Sequence, residues 1–342
     1  MLYRDYCHVF PKEIENLIDE MSKRIKEICS EKDFRMFGRP FLVGSGTAYA
    51  AALASKQAFS SLTGWSGERI RVMTAQEYAY ITDNKEPEHL PHVFILFSDM
   101  KDRTAMDALL AAEKYKAEVT AITNEKGCLK GISADKILKL PETGGGEVGE
   151  FIGFQTALML LALEIGRSNS FIADDEVKAV KSDMAEYLIN CCEAALNQEE
   201  KIDSFVKEAK NRIYSFEMIG TGPDMAVAWM ARSLVYKHIG TVCTVEESED
   251  WLHVNFLQLE PEKYASVMFI SGNNPSAERS LRTAKYVEGI GRMTAAISDI
   301  DESEFPERTT VIKMPPAKQL WMQPLGTLLP FAMLVEKMAE AE

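Results

Sequence analysis

Four short stretches of this sequence carry groups suited to holding an anion or moving a proton. Gly44-Ser45-Gly46-Thr47 closes an apolar run and opens a stretch of small residues. Its glycines, Gly46 among them, allow the backbone to approach a ligand. A helix starting here would aim free N–H groups at an anion, and Ser45 and Thr47 add hydroxyl donors. The same residues also suit a plain strand–helix turn. A dinucleotide cradle needs a third glycine three residues after the second, where Tyr49 stands. In Ser98-Asp99-Met100-Lys101-Asp102-Arg103-Thr104, Ser98 and Thr104 suit phosphate oxygens, and Lys101 or Arg103 could neutralise charge; the alternative is a solvated polar loop. Glu142-Thr143-Gly144-Gly145-Gly146-Glu147 reads as a loop that closes over a ligand or as a flexible connector. Glu246-Glu247-Ser248-Glu249-Asp250-Trp251-Leu252-His253 puts a histidine behind carboxylates, an arrangement suited to acid–base work or to a structural histidine.

The elements that must position these stretches repeat. Phe41–Thr47 recurs as Glu217–Pro223, with Gly220 placed 176 residues after Gly44, and Gly64 and Gly240 close the following helices at that same offset. Val93–Ser98 pairs with Ser266–Ser271, Thr120–Thr123 with Ala295–Ser298, and Lys139–Pro141 with Lys313–Pro315. Both copies then enter apolar helices, 154–165 and 325–338. The pattern predicts a duplication with a repeat of about 175 residues. The strand runs are continuously apolar, as in parallel strands covered on both faces, and they alternate with helices. The expectation is α/β: two tandem doubly wound parallel-sheet domains with flanking helices. The boundaries read as an N-terminal helical segment 1–33 with its helix at 12–29, a first domain 34–170, connecting helices 171–210, and a second domain 211–342.

Composition narrows the function classes. The formal net charge is −14, so general attraction to nucleic acid or an anionic membrane is not expected, and a bound phosphate must be held by local groups. No uncharged apolar stretch reaches the length of a membrane span, and the residues before Phe10 lack an apolar signal core, so a cytoplasmic location is expected. The cysteines Cys7, Cys29, Cys128, Cys191, Cys192 and Cys243 form no CxxC pair, and the histidines His8, His89, His92, His238 and His253 show no metal spacing. Neither a metal nor a cofactor is implied.

Taken in order, the GxGT turn, the Ser98–Thr104 loop, the glutamate-rich segment ending in His253 and the duplication resemble the sugar isomerase (SIS) domain family in its tandem form. The likeness runs from about Phe34 to Met338. That family includes the isomerase half of glucosamine-6-phosphate synthase and the fructosamine-type phosphosugar deglycases. The resemblance implies flavodoxin-like domains, a phosphorylated sugar as partner, and a homodimer or larger assembly in which the histidine reaches a neighbour's site. It carries sugar-phosphate binding to Ser45, Thr47, Ser98 and Thr104, beside which the residues themselves suggest Gly46 and Lys101, and a catalytic histidine to His253. The chain departs from the family at Ala48, where a serine is usual, at Asp99-Met100-Lys101, at Val254-Asn255 after the histidine, and at His238, which aligns with a catalytic glutamate. With no glutaminase domain or lysine-bearing tail, the full synthase reaction is not expected. The implied activity is a phosphosugar aldose–ketose isomerase or a ketosamine 6-phosphate deglycase, with His253 opening the ring and His238 or Glu249 moving the carbon proton. The alternative is a phosphosugar-binding sensor or partner protein with little catalysis. The terminal helices, with Leu325, Leu328, Leu329, Met333 and Met338, serve either an oligomer interface or internal packing.

Overall fold

A strand covered on both faces has no reason to alternate polar and apolar residues, and the central strands here do not. A computed structural model describes residues 2–29, 40–82, 92–124, 134–210 and 212–340. Among these, the first half runs α1 (Tyr3–Val9), α2 (Ile14–Cys29), β1 (Pro40–Gly44), α3 (Gly46–Leu62), β2 (Arg71–Thr74), α4 (Ala75–Tyr80), β3 (His92–Phe97), α5 (Arg103–Lys114), β4 (Glu118–Thr123), β5 (Lys136–Lys139) and α6 (Gly146–Ser168). The second runs α7 (Asp174–Asn197), α8 (Glu199–Ala209), β6 (Ser215–Gly220), α9 (Pro223–His238), β7 (Val242–Glu247), α10 (Ser248–Val254), β8 (Tyr264–Ile270), α11 (Ala277–Gly289), β9 (Met293–Ser298), β10 (Thr310–Lys313) and α12 (Pro324–Glu340). His89, Cys128 and the proposed boundaries at residues 33, 34 and 211 lie outside the described residues.

Among the described residues ten strands form two parallel five-stranded sheets, ordered β2-β1-β3-β4-β5 and β10-β9-β8-β6-β7. The registers include Val43↔Met73 and Val43↔Ile95 in the first sheet and Met218↔Val245 and Met218↔Val267 in the second. The first strand of each sheet, β1 or β6, lies between its second and third. Every residue of β1, β3 and β9 is buried, which is why their sequences carry no period of two. The sequence reading missed β2, whose Arg71 is exposed and whose other residues are half-buried. An edge strand loses the continuous apolar run because one side meets water.

Contacts divide the chain into two compact units, Glu13–Ala185 and Met1–Lys12 with Glu186–Glu342. The N-terminal segment read as one piece therefore splits at Lys12: α2 packs with the first unit and α1 with the second. The stretch read as connecting helices, 171–210, holds two, α7 and α8, separated at Gln198.

In the first unit α6 is the central helix. It is long and apolar enough to cross a membrane, yet nearly all of its apolar length is buried inside the protein, as befits a core helix. Small residues let α3 lie close to it. A methyl group on Gly166 would sit 1.8 Å from the Leu62 carbonyl oxygen. In the second unit α12 is equally buried: Leu325, Leu328, Leu329 and Met333 are fully enclosed, and Met338 nearly so. Internal packing is thus the use of these residues, and they are not available to another chain. Cys7, Cys29, Cys191, Cys192 and Cys243 are buried.

Candidate functional site

In a doubly wound sheet the crevice for a ligand opens beyond the carboxyl ends of the strands, where neighbouring strands send their connections to opposite sides. In the first sheet that point lies between β1 and β3. The turn after β1 is tight. A side chain on Gly44 would collide with the Ala48 and Tyr49 backbone, and Gly46 adopts φ +53° with open space around it. Ser45 stands at the start of α3 but does not cap it with its side chain. Its Oγ instead lies 3.1 Å from Oγ1 of Thr104, in the first turn of α5 after β3. Two hydroxyls predicted from sequence, 59 residues apart, thus meet across the crevice.

The rest of the crevice is more acidic than the sequence reading held. Ser98 Oγ donates to Glu150 Oε1, a carboxylate that reading did not single out. Asp102 caps α5, accepting from Ala105 N (3.0 Å) and Thr104 Oγ1 (2.7 Å), and Asp99 accepts from Lys101 N at 2.7 Å. Lys101 is exposed, and Thr47 is half-buried in the first turn of α3. Glu150 is set in place by the triple glycine. Gly144, Gly145 and Gly146 all take left-handed φ of 65°, 60° and 56°, which only glycine adopts readily in succession. The segment forms a left-handed turn ahead of α6. A methyl group on Gly149 would lie 1.9 Å from the Gly144 carbonyl oxygen, so the turn packs directly on the start of α6.

The candidate proton-transfer residues lie in the second unit. Glu247 caps α10, accepting from Glu249 N (2.7 Å), Asp250 N (3.1 Å) and Thr221 Oγ1 (2.5 Å). Burial alone would raise its carboxyl pKa, but these hydrogen bonds and one from Ser248 outweigh burial and hold it below the usual value. Burial raises Glu246, against a hydrogen bond from Asn255. His253 is exposed in the last turn of α10. Glu249 is on the same short helix and pairs with Arg279 at 2.9 Å. His238 is elsewhere. It ends α9, about 22 Å along the helix axis from Pro223, and its Nε2 lies 3.4 Å from Tyr3 Oη. The structure brings His253 and Glu249 onto one helix and seats His238 against α1.

What fixes α10 is a buried ion pair that sequence reasoning did not find. Glu217, in the middle of β6, accepts from Asn255 Nδ2 (2.7 Å), Ser266 Oγ (3.1 Å), Trp251 Nε1 and Arg292 Nη1, each of the last two at 2.5 Å. Arg292 also donates to Asn255 O (3.1 Å) and Gln258 Oε1, and lies about 5 Å from the Trp251 and Tyr264 ring centres. The pair's side chains are 0% and 2% exposed. It clamps the residues on both sides of His253 to the sheet. A lone glutamate in an apolar strand was the available signal. Among the described residues, no three His, Cys, Asp or Glu side chains group as a metal site.

No family model matches the chain. Curated relatives include isomerizing glutamine–fructose-6-phosphate aminotransferases from Mycobacterium tuberculosis, 22% identical over 327 residues, and from Mycolicibacterium smegmatis, 21% over 330; each match covers 91% of this chain and about half of the relative. The chain therefore spans about half the length of these relatives. Among solved structures, the C-terminal domain of glucosamine-fructose-6-phosphate aminotransferase from Francisella tularensis superposes with a TM-score of 0.82 at 15% identity, covering 99% of this chain and 96% of that one. Tagatose-6-phosphate ketose/aldose isomerase from Escherichia coli gives 0.75 at 14% identity, covering 99% and 92%. The chain has the fold of the sugar-phosphate isomerases. Two five-stranded parallel sheets flanked by helices are its shared frame.

Proposed function

We propose that this protein is a cytoplasmic phosphosugar aldose–ketose isomerase or ketosamine 6-phosphate deglycase. The observation that carries the reading is the meeting of Ser45 and Thr104 at 3.1 Å across the switch-point crevice of the first sheet. Hydroxyls there, beside the start of α3, suit phosphate oxygens. Ser45, Gly46, Thr47, Ser98 and Thr104 hold the phosphate, with Lys101 at the rim. The similar proteins, two sugar-phosphate aminotransferases and a ketose/aldose isomerase, support the same substrate class.

Isomerisation takes a proton from C2 of the open aldose, forms an enediolate, and returns a proton to C1. It needs an acid–base group at the ring oxygen and another at carbon. His253 fills the first role, and Glu249 or His238 the second. An exposed run beside His253, with Val254, Phe256, Leu257 and Leu259 at 62, 45, 66 and 85% exposure, supports assembly as a homodimer or larger.

A second reading is a phosphosugar sensor with little turnover. Its support is the Glu150 carboxylate bonded to Ser98, which an arriving phosphate must displace. Titration with fructose 6-phosphate, glucosamine 6-phosphate and a ketosamine 6-phosphate, against the bare sugars, inorganic phosphate and NAD, tests both. At about 100 times its Kd a phosphosugar should add about 2.7 kcal/mol of stability. Equal response to bare sugars would remove the phosphosugar reading. Among binders, turnover separates enzyme from sensor: His253→Ala should keep the thermal midpoint and lower the rate by more than about tenfold.

A further inference from the structure

The second sheet has its own switch point, between β6 and β8, and its own polar turns, Thr221-Gly222 and Ser271-Gly272-Asn273-Asn274. The groups there that would receive an anion are already occupied. Asp224, on the first turn of α9, is 1% exposed. Its Oδ1 accepts from Ser271 Oγ at 2.5 Å, and its Oδ2 accepts from Ser271 N and from Asn274 Nδ2, both at 3.1 Å. The next backbone amide, Gly272 N, donates to Asp299 Oδ1 at 2.6 Å. Asn274 Nδ2 also reaches Thr221 O at 3.0 Å, tying the two turns together across the crevice. Asp224 stands 176 residues after Ala48, the offset that also relates Gly220 to Gly44. In the first unit that position carries only a methyl group.

We infer that Asp224 is an internal anion that occupies a cryptic phosphate site in the second unit, so that each chain takes one phosphosugar, in the first unit. The donors of the second crevice are those a phosphate would use: one hydroxyl, one amide side chain and backbone N–H groups. A carboxylate delivered by the same helix turn needs no ligand and holds the crevice shut. Burial raises the Asp224 pKa to about 6, against the hydrogen bonds from Ser271 and Asn274, so the group is ionised at neutral pH.

The single-site clause rests on the phosphosugar reading above, and the cryptic-site clause does not. Calorimetric titration and native mass spectrometry of wild type, Asp224→Ala and Asp224→Ser test it, with fructose 6-phosphate and inorganic phosphate as probes. The serine variant leaves a hydroxyl for Ser271 and Asn274 if the alanine variant fails to fold. Wild type should saturate at one fructose 6-phosphate per chain. A folded Asp224 variant should take a second anion, inorganic phosphate included, and adding Ser271→Ala should abolish that second site while leaving the first. Two phosphosugars per wild-type chain, or folded variants that gain no phosphate, would overturn the inference. If wild type binds no phosphosugar but the variants bind phosphate through Ser271, the functional reading fails and the cryptic site stands.

Discussion

The side chains that matter most here are carboxylates placed where water is scarce. Glu217 is tolerable in β6 only because four donors surround it, the charged Arg292 among them. Arg292→Met strands a buried carboxylate and should cost about 3–5 kcal/mol in urea unfolding, with much of that recovered by adding Glu217→Gln. An additive double mutant would show that the two charges do not compensate each other. Asp224 makes a different prediction. Its pKa is raised from 3.8 to about 6 by burial, opposed by Ser271 and Asn274 and aided by the nearby Asp299 charge. The folded state then holds a proton that the unfolded state has released. This contribution to stability is full below about pH 4 and is lost as pH rises through about 6, a change on the order of 2–3 kcal/mol. Asp224→Asn should flatten that slope between pH 4 and 7. An unaltered profile would show that another group titrates there.

Turns and caps decide where the elements start, and glycine serves two separate needs in them. Gly46 is needed for its φ alone, since nothing lies within 4 Å of where a Cβ would be. Gly46→Ala should therefore cost only the left-handed penalty of about 1–2 kcal/mol. Gly149 is needed for space, because a Cβ there meets the Gly144 carbonyl at 1.9 Å. Gly149→Ala should lower stability more, by about 3 kcal/mol or beyond, and should also displace the turn that sets Glu150 against Ser98. Thermal unfolding of the two variants orders the costs. Equal losses would mean the turn yields easily. The two halves share one device at the far end of their first helices. Gly64 (φ +76°) follows α3 and Gly240 (φ +73°) follows α9, each ending its helix in the left-handed conformation.

For the chain as a whole, charge is the dominant long-range property. A net charge of −14 opposes a doubly charged phosphate at a distance, and salt screens that repulsion over a Debye length of about 8 Å at 0.15 M. The association rate of fructose 6-phosphate, followed by stopped flow, should rise as salt is added from low ionic strength. A falling rate would mean that Lys101 and Arg103 set the field at the mouth of the crevice.

The amino-acid order alone determined the alternation of strands and helices, the parallel sheets, the hydroxyl-rich turns and the recurrence of Gly44 and Gly64 as Gly220 and Gly240. Those features depend on period, on local φ preference and on short spacing, all of which a linear sequence displays. The resemblance to the SIS family assigned Ser45 and Thr104 to one phosphate, and their 3.1 Å approach belongs to the tertiary structure. The amino-acid order did not show β2, whose polar edge hides it, or that Leu325, Leu328 and Leu329 are spent on the chain's own core. Only the tertiary structure decided the partners of the buried charges. Ser98 meets Glu150 across 52 residues, Ser271 meets Asp224 across 47, and Arg292 meets Glu217 across 75. No local pattern encodes such pairs, because which donor a buried carboxylate finds depends on which strands become neighbours, and that is settled by packing the whole sheet.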